Sequence, residues 1–101
     1  MYLRVIRARA RSGRVDEFAT QWQTLFVPGL LQVAGFRHAW FAGDRDLNTL
    51  AVVTLWDDLP RANQLGPMIV AFEERVGDML AGPSVIEEYE VLAEAGAEAT
   101  S

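Results

Sequence analysis

His38 is the only histidine in the chain, and so the only side chain whose ordinary pKa lies near neutrality. Strand alternation groups it with Phe36 and Trp40 on one face and leaves Arg37, Ala39 and Phe41 on the other. An aromatic wall with one imidazole suits proton abstraction from a phenol or quinol, after which carbanion-like attack on dioxygen needs no metal. The competing reading is a hydrogen-bonded sheet histidine with no chemical role. A second group comes from Asn48–Trp56, where Leu50, Val52, Thr54 and Trp56 share a face. Trp56 offers a flat surface for an aromatic ring, and its indole N–H needs a partner when buried. Whether the two groups face one another depends on register, because a slip of one residue reverses a strand's faces. Arg7 and Arg37 are placed to hold an anionic group, although Arg7 equally suits a last-strand glutamate.

Other chemistries lack their residues. With one histidine, no cysteine and scattered carboxylates, the chain offers no metal-ligand set of the usual spacing. It has no disulfide or thiolate nucleophile, no glycine-rich phosphate loop and no serine in a nucleophile elbow. A formal net charge of −5 argues against nucleic acid as a partner. Apolar runs are too short to span a bilayer, and Arg4, Arg7 and Arg9 interrupt any signal-peptide core, so cytoplasmic residence is expected. All 9 basic residues are arginine, as the codon usage of a GC-rich bacterial genome would give.

The elements that must position these residues follow from periodicity. Tyr2 to Ala10 reads as a strand broken by Arg11-Ser12-Gly13. Val15, Phe18, Trp22, Leu25 and Phe26 recur at helical spacing, with Asp16 and Glu17 in the first turn, and Pro28-Gly29 ends or kinks that helix. Gly35 turns the chain into a strand over Phe36–Ala42, and the polar turn Gly43-Asp44-Arg45-Asp46 predicts a hairpin with the following strand. Asp57 or Asp58 caps a second helix with Pro60 in its first turn, and Asn63 and Gln64 lie along it. After Gly66-Pro67 a longer helix buries Ile69, Phe72, Val76 and Met79/Leu80 and turns Glu73, Glu74 and Asp78 to water. Val85–Leu92 alternates as a last strand, and beyond Ala93 no large apolar group remains.

Strand, helix, strand, strand, helix, strand is the split βαβ order. It predicts an α+β, ferredoxin-like βαββαβ domain over residues 1–92, with a four-stranded antiparallel sheet, both helices on one face and a disordered tail over 93–101. First and last strands become neighbours, so Arg4, Arg7 and Arg9 face Glu87, Glu88 and Glu90. That explains why residues 1–45 hold seven Arg against three acids while 46–101 hold two Arg against eleven. Half the chain is hydrophobic and the second sheet face is uncovered, so a homodimer is expected.

Gly13 after the first strand, Phe18 and Trp22 in the first helix, Gly35-Phe36, Trp56 followed by two acids, and Tyr89-Glu90-Val91 together resemble the antibiotic biosynthesis monooxygenase family of dimeric α+β barrels. The resemblance implies a homodimer packed through the bare sheet faces, with a ligand cavity in each subunit between sheet and helices. It further implies a cofactor-independent monooxygenase acting on a small aromatic, phenolic or polyketide-like substrate. His38 is then the candidate catalytic residue, and Phe36, Trp40, Val52, Thr54 and Trp56 the candidate substrate contacts. Members that oxidise anthrone-type polyketides carry an asparagine four residues before the tryptophan, where this chain has Val52. The asparagine, tryptophan and histidine of haem-degrading members are also missing from the corresponding elements. A cyclase or isomerase on the same scaffold, or a non-catalytic ligand-binding module, are the alternatives.

Overall fold

In the computed structural model, which describes residues 1–58 and 65–97, β1 (Tyr2–Arg9) is flanked by two antiparallel partners. One is β3 (Thr49–Trp56) and the other β4 (Val85–Glu90); β2 (Phe36–Asp44) pairs with β3 to complete a sheet ordered β2-β3-β1-β4. This is the α+β, ferredoxin-like arrangement that the order of elements predicts. In β3 half-buried and buried residues alternate without exception, and Leu50, Val52, Thr54 and Trp56 form the buried row. Ile6 and Ala8 stand opposite Val52 and Leu50, so one face of the sheet carries the core.

Charge pairing across β1 and β4 is narrower than the sequence suggests. Arg4 lies opposite Glu88 (3.9 Å), and Arg7 reaches diagonally to Glu87 (3.0 Å). Arg9 and Glu90 do not join them, because β4 ends opposite Arg7 and Glu90 faces Tyr2. Half-exposed pairs of this kind contribute about 0–1 kcal/mol each and serve mainly to set register.

The first helical stretch runs through α1 (Val15–Gln21), a π turn (Trp22–Phe26) and α2 (Val27–Leu30). Phe18, Trp22, Phe26 and Leu30 are all buried, a spacing of four. In an ideal α-helix that spacing drifts about 40° per step, roughly 120° over the stretch, too far for one stripe. A π turn underwinds the helix, here with Val27 N–H donating to the Trp22 carbonyl, and returns the four side chains to one face. Leu25, expected in the buried stripe, is 39% exposed for this reason. Pro28 stands in the first turn of α2, where its missing N–H is tolerated, and the helical path does not end there.

Three features join the hairpin to the rest. Gly43, expected in the turn, belongs to β2 and lies opposite Leu50, where an added Cβ would stand 2.9 Å from Val15 Cγ1. Only glycine lets α1 start so close to the sheet. Asn48 adopts φ +55°, and its Oδ1 accepts the Gly13 N–H at 3.1 Å, tying the hairpin to the turn after β1. Arg45 donates through Nε and Nη2 to the Asp16 carboxylate at 2.7–3.0 Å. That hydrogen bond, reinforced by the guanidinium charge against partial desolvation, holds the Asp16 carboxyl below its ordinary 3.8. A group depressed in the folded state stabilises above its unfolded pKa and loses that contribution as pH falls through the folded value. In a carboxyl NMR titration the Asp16 midpoint should therefore lie below 3.8 and rise in Arg45→Gln; an unchanged midpoint would contradict the pairing.

The second layer is α3 (Gly66–Val76) and a 3₁₀ turn (Gly77–Met79). Pro67 lies in the first turn, so Gly66-Pro67 starts the described helix. Asp57 and Asp58 are described, but the helix they are expected to cap, with Pro60, Asn63 and Gln64, and the tail beyond 97 lie outside the described residues; 93–97 are exposed and irregular. Val76 and Met79 are buried as expected, with Ile69 and Phe72 packed against the core. Trp56, Leu30, Leu65 and Val76 are its most enclosed side chains.

Candidate functional site

A cavity of about 50 Å³ lies between the covered sheet face and the helices. Its floor is Ile6, Ala8, Leu50 and Val52, and its roof is Phe18, Trp22, Phe26, Ile69 and Phe72. The π turn supplies the roof's aromatic row: the Trp22 ring lies 5.6 Å from Phe41, and Phe26 and Phe18 lie 5.4 and 5.8 Å from Phe72. The cavity is smaller than the ~150 Å³ apolar void that takes up benzene, so a ring-sized ligand enters only with displacement of lining side chains.

Polar groups in this lining are few. Glu73 and Ser84 sit together at one side, the Ser84 hydroxyl donating to Glu73 Oε2 at 3.3 Å. Glu73 is half-buried instead of turned to water, because it lies on the α3 stripe four residues after Ile69 and three before Val76. The Trp22 ring also lines the cavity. Trp22 is 9% exposed, and its Nε1 has no hydrogen-bond partner among the described residues. Leaving such a donor unmet costs about 1–3 kcal/mol.

The residues singled out from sequence divide among three places. Val52 lines the cavity. Thr54 and Trp56 share its face but form core: Trp56 is 0% exposed, and its Nε1 donates to Thr54 Oγ1 at 2.7 Å. Phe36 packs edge-on against Trp56 with ring centroids 5.4 Å apart. His38 and Trp40 lie on the opposite face and are exposed, their rings tilted against each other with centroids 4.4 Å apart. Simple alternation, which puts Phe36, His38 and Trp40 together, does not describe β2. Phe36 pairs with Trp56 but His38 pairs with Leu55, so Arg37 is an extra residue in a β-bulge. The bulge leaves Phe36 on the core side and turns His38 and Trp40 away. Arg37 itself pairs with Asp57 at 3.4 Å, and Arg7 with Glu87, so each guanidinium has a carboxylate of its own.

Helical spacing alone puts Trp22 on the apolar stripe, and its charge alone turns Glu73 to water. The four-residue spacing of Phe18, Trp22, Phe26 and Leu30 was the available signal for an underwound helix.

On the bare face Trp40, Val85 and Tyr89 are 48, 57 and 50% exposed, with Leu3, Val5, Val53 and Leu55 half-buried between them. A broad hollow of about 520 Å³, lined in part by Arg7, Arg9 and Asp44, opens at one end of this face. It is a concavity of the twisted sheet without a roof, unlike the interior cavity. Among the described residues no three His, Cys, Asp or Glu side chains converge as metal ligands, and no helix is long and apolar enough to cross a membrane.

No protein-family model and no curated protein sequence matches this chain. Solved structures do, at low identity. A monooxygenase encoded by ActVA-Orf6 of Streptomyces coelicolor, solved with nanaomycin D, superposes with a TM-score of 0.79 at 12% identity, covering 93% of this chain and 89% of that one. A Nitrosomonas europaea protein assigned to the antibiotic biosynthesis monooxygenases gives 0.78 at 14%, over 92% and 100%. One from Bordetella bronchiseptica with the same assignment gives 0.76 at 11%, over 91% and 97%. The chain therefore has the fold of the antibiotic biosynthesis monooxygenase structures, as the sequence resemblance implies.

Proposed function

We propose that this protein is a homodimeric, cofactor-independent monooxygenase that holds a small aromatic, phenolic or polyketide-like substrate in the cavity between sheet and helices. The observation that carries this reading is the cavity: apolar, aromatic-roofed, and lined among the described residues by one carboxylate and one hydroxyl. Its support from outside the chain is the shared fold, on which one neighbour holds nanaomycin D. Among the described residues Glu73 is the only ionisable one lining the cavity. As a carboxylate it is placed to accept the proton of a substrate hydroxyl or acidic C–H, with the Ser84 hydroxyl orienting it. In this proposal Val52, Phe18, Phe26 and Phe72 hold the ring and exclude water. His38, facing the other way, is not needed for proton transfer.

The overall chemistry balances without an added reductant. A substrate methylene that becomes a carbonyl gives up four electrons; dioxygen accepts them, placing one oxygen atom in the product and releasing the other as water. The test is oxygen uptake with a panel of phenols, quinols and anthrones in the presence of a metal chelator. Uptake with matching product formation supports the reading; ligand binding without turnover would favour a binding module, and turnover without oxygen a cyclase or isomerase.

The bare sheet face is the proposed dimer interface. The exposed apolar side chains on this face, Trp40, Val85 and Tyr89 among them, exceed what monomers usually leave to water. Light scattering at micromolar concentration should return twice the 11.2 kDa chain mass. A single-chain mass, or a dimer that survives Trp40→Glu, would contradict this interface.

A further inference from the structure

We infer that the seam between the first helical stretch and α3 is the entrance to the interior cavity, with the Phe26 and Phe72 rings as its gate. This rests on the reading of that cavity as the substrate site. A second hollow, a groove of about 330 Å³, lies along the same seam. Leu25 and Gly29 line it from the first stretch, and Met68, Ala71 and Arg75 from α3. Leu25, Ala71 and Arg75 are exposed, so the groove faces water. Among the described residues Phe26 and Phe72 alone line both the groove and the interior cavity. Their ring centroids are 5.4 Å apart with the planes inclined at 55°, so one pair of rings in contact divides the two voids.

At about 50 Å³ the interior cavity is below the ~150 Å³ void that takes up benzene, so a side chain must move before a ring enters. Phe72 has room to do so. It is half-buried and borders the larger groove, whereas Phe26 is buried. Side chains in close-packed interiors still hop between rotamers, and a ring with open space beside it does so most readily. The groove wall next to it also yields: Met68 is unbranched, and its Cε occupies the space that a Cβ on Gly29 would need, 2.7 Å away. The polar side of the cavity is a costlier route. There the Ser84 hydroxyl donates to Glu73, and an aromatic molecule passing between them would break that bond and strip water from a carboxylate. The seam, apolar apart from Arg75, imposes neither cost and suits neutral aromatic molecules.

The test blocks the groove and measures rates. Ala71 is exposed and lines the groove but not the cavity, so Ala71→Trp obstructs the passage without entering the binding site. Acetophenone is titrated into methyl-labelled protein, and association and dissociation rates are taken from the line shapes of the Val52 methyls. An obstacle on the path alters both rates and leaves the end states alone, so in Ala71→Trp both should fall together by about tenfold with Kd unchanged. Phe72→Leu, which keeps an apolar side chain but thins the gate, should raise the association rate. Val70→Trp, exposed on the same helix but lining neither void, should match the wild type. Wild-type rates in Ala71→Trp would overturn the entrance and leave the cavity as the binding site, reached from the Glu73–Ser84 side. A changed Kd carried by dissociation alone would put the new indole against the bound ligand, not on its path, and would overturn the gate as well. Val52 methyls unmoved up to the solubility of acetophenone would overturn the cavity reading and the entrance with it.

Discussion

Trp56→Ala is expected to lower the unfolding free energy by about 3–5 kcal/mol, the usual loss when a large buried aromatic is removed from a core. Trp56 is 0% exposed, packs against Phe36 at 5.4 Å, and is hydrogen-bonded to Thr54 at 2.7 Å, so its removal leaves a void and a buried hydroxyl without its donor. Against a domain stability of about 5–15 kcal/mol that loss is large. Thermal unfolding should move down by at least ~12 °C. Trp56→Phe, which keeps a ring, should lose less. A Trp56→Ala variant that melts with the wild type would show that the side chain is a replaceable wall.

Val52→Phe is the substitution expected to cost most function. Val52 is in the cavity floor, and a ring there occupies the space a substrate ring needs. Oxygen uptake with the best substrate of the panel should fall by about 10²-fold or more, since even a small misplacement of a reacting molecule costs this much. The fold should persist, because overpacking beside an existing cavity costs typically about 1–3 kcal/mol. Val53→Phe is the matched control: one residue along β3, it points to the bare face and should leave catalysis intact while changing dimer affinity. Full activity in Val52→Phe would place the reaction elsewhere.

The contrast between Val52 and Trp56 shows what is legible in such a sequence. β3 announces itself as a strand because its run from Thr49 to Trp56 is largely apolar on both faces, but which row is covered emerges only from the fold. The order of elements then leaves little choice of topology. The bulge at Arg37 leaves no such mark. One extra residue does not change composition, and its ion partner, Asp57, lies twenty positions away. Yet that residue separates His38 and Trp40 from Phe36 and moves the imidazole to the opposite face from the cavity. The π turn is half-legible: the spacing of Phe18, Trp22, Phe26 and Leu30 conflicts with an α-helix, but Leu25 beside Phe26 lets an ordinary stripe be drawn instead. An unsatisfied indole is invisible in sequence, because satisfaction is a property of neighbours brought together by folding. Glu73 is hidden by its charge, which suggests water although its helical position points inward.

Two neighbouring valines give the most direct measurement. Val52 faces the interior cavity and Val53 the bare sheet face, so their methyl groups report separately on the two surfaces where a ligand could sit. In methyl-labelled protein titrated with acetophenone, the Val52 methyls should shift with saturation and show intermolecular NOEs to the ring, with Val53 unchanged. Saturable shifts and NOEs at Val53 with Val52 silent would put the ligand on the sheet's other face, beside His38 and Trp40, and contradict the interior site.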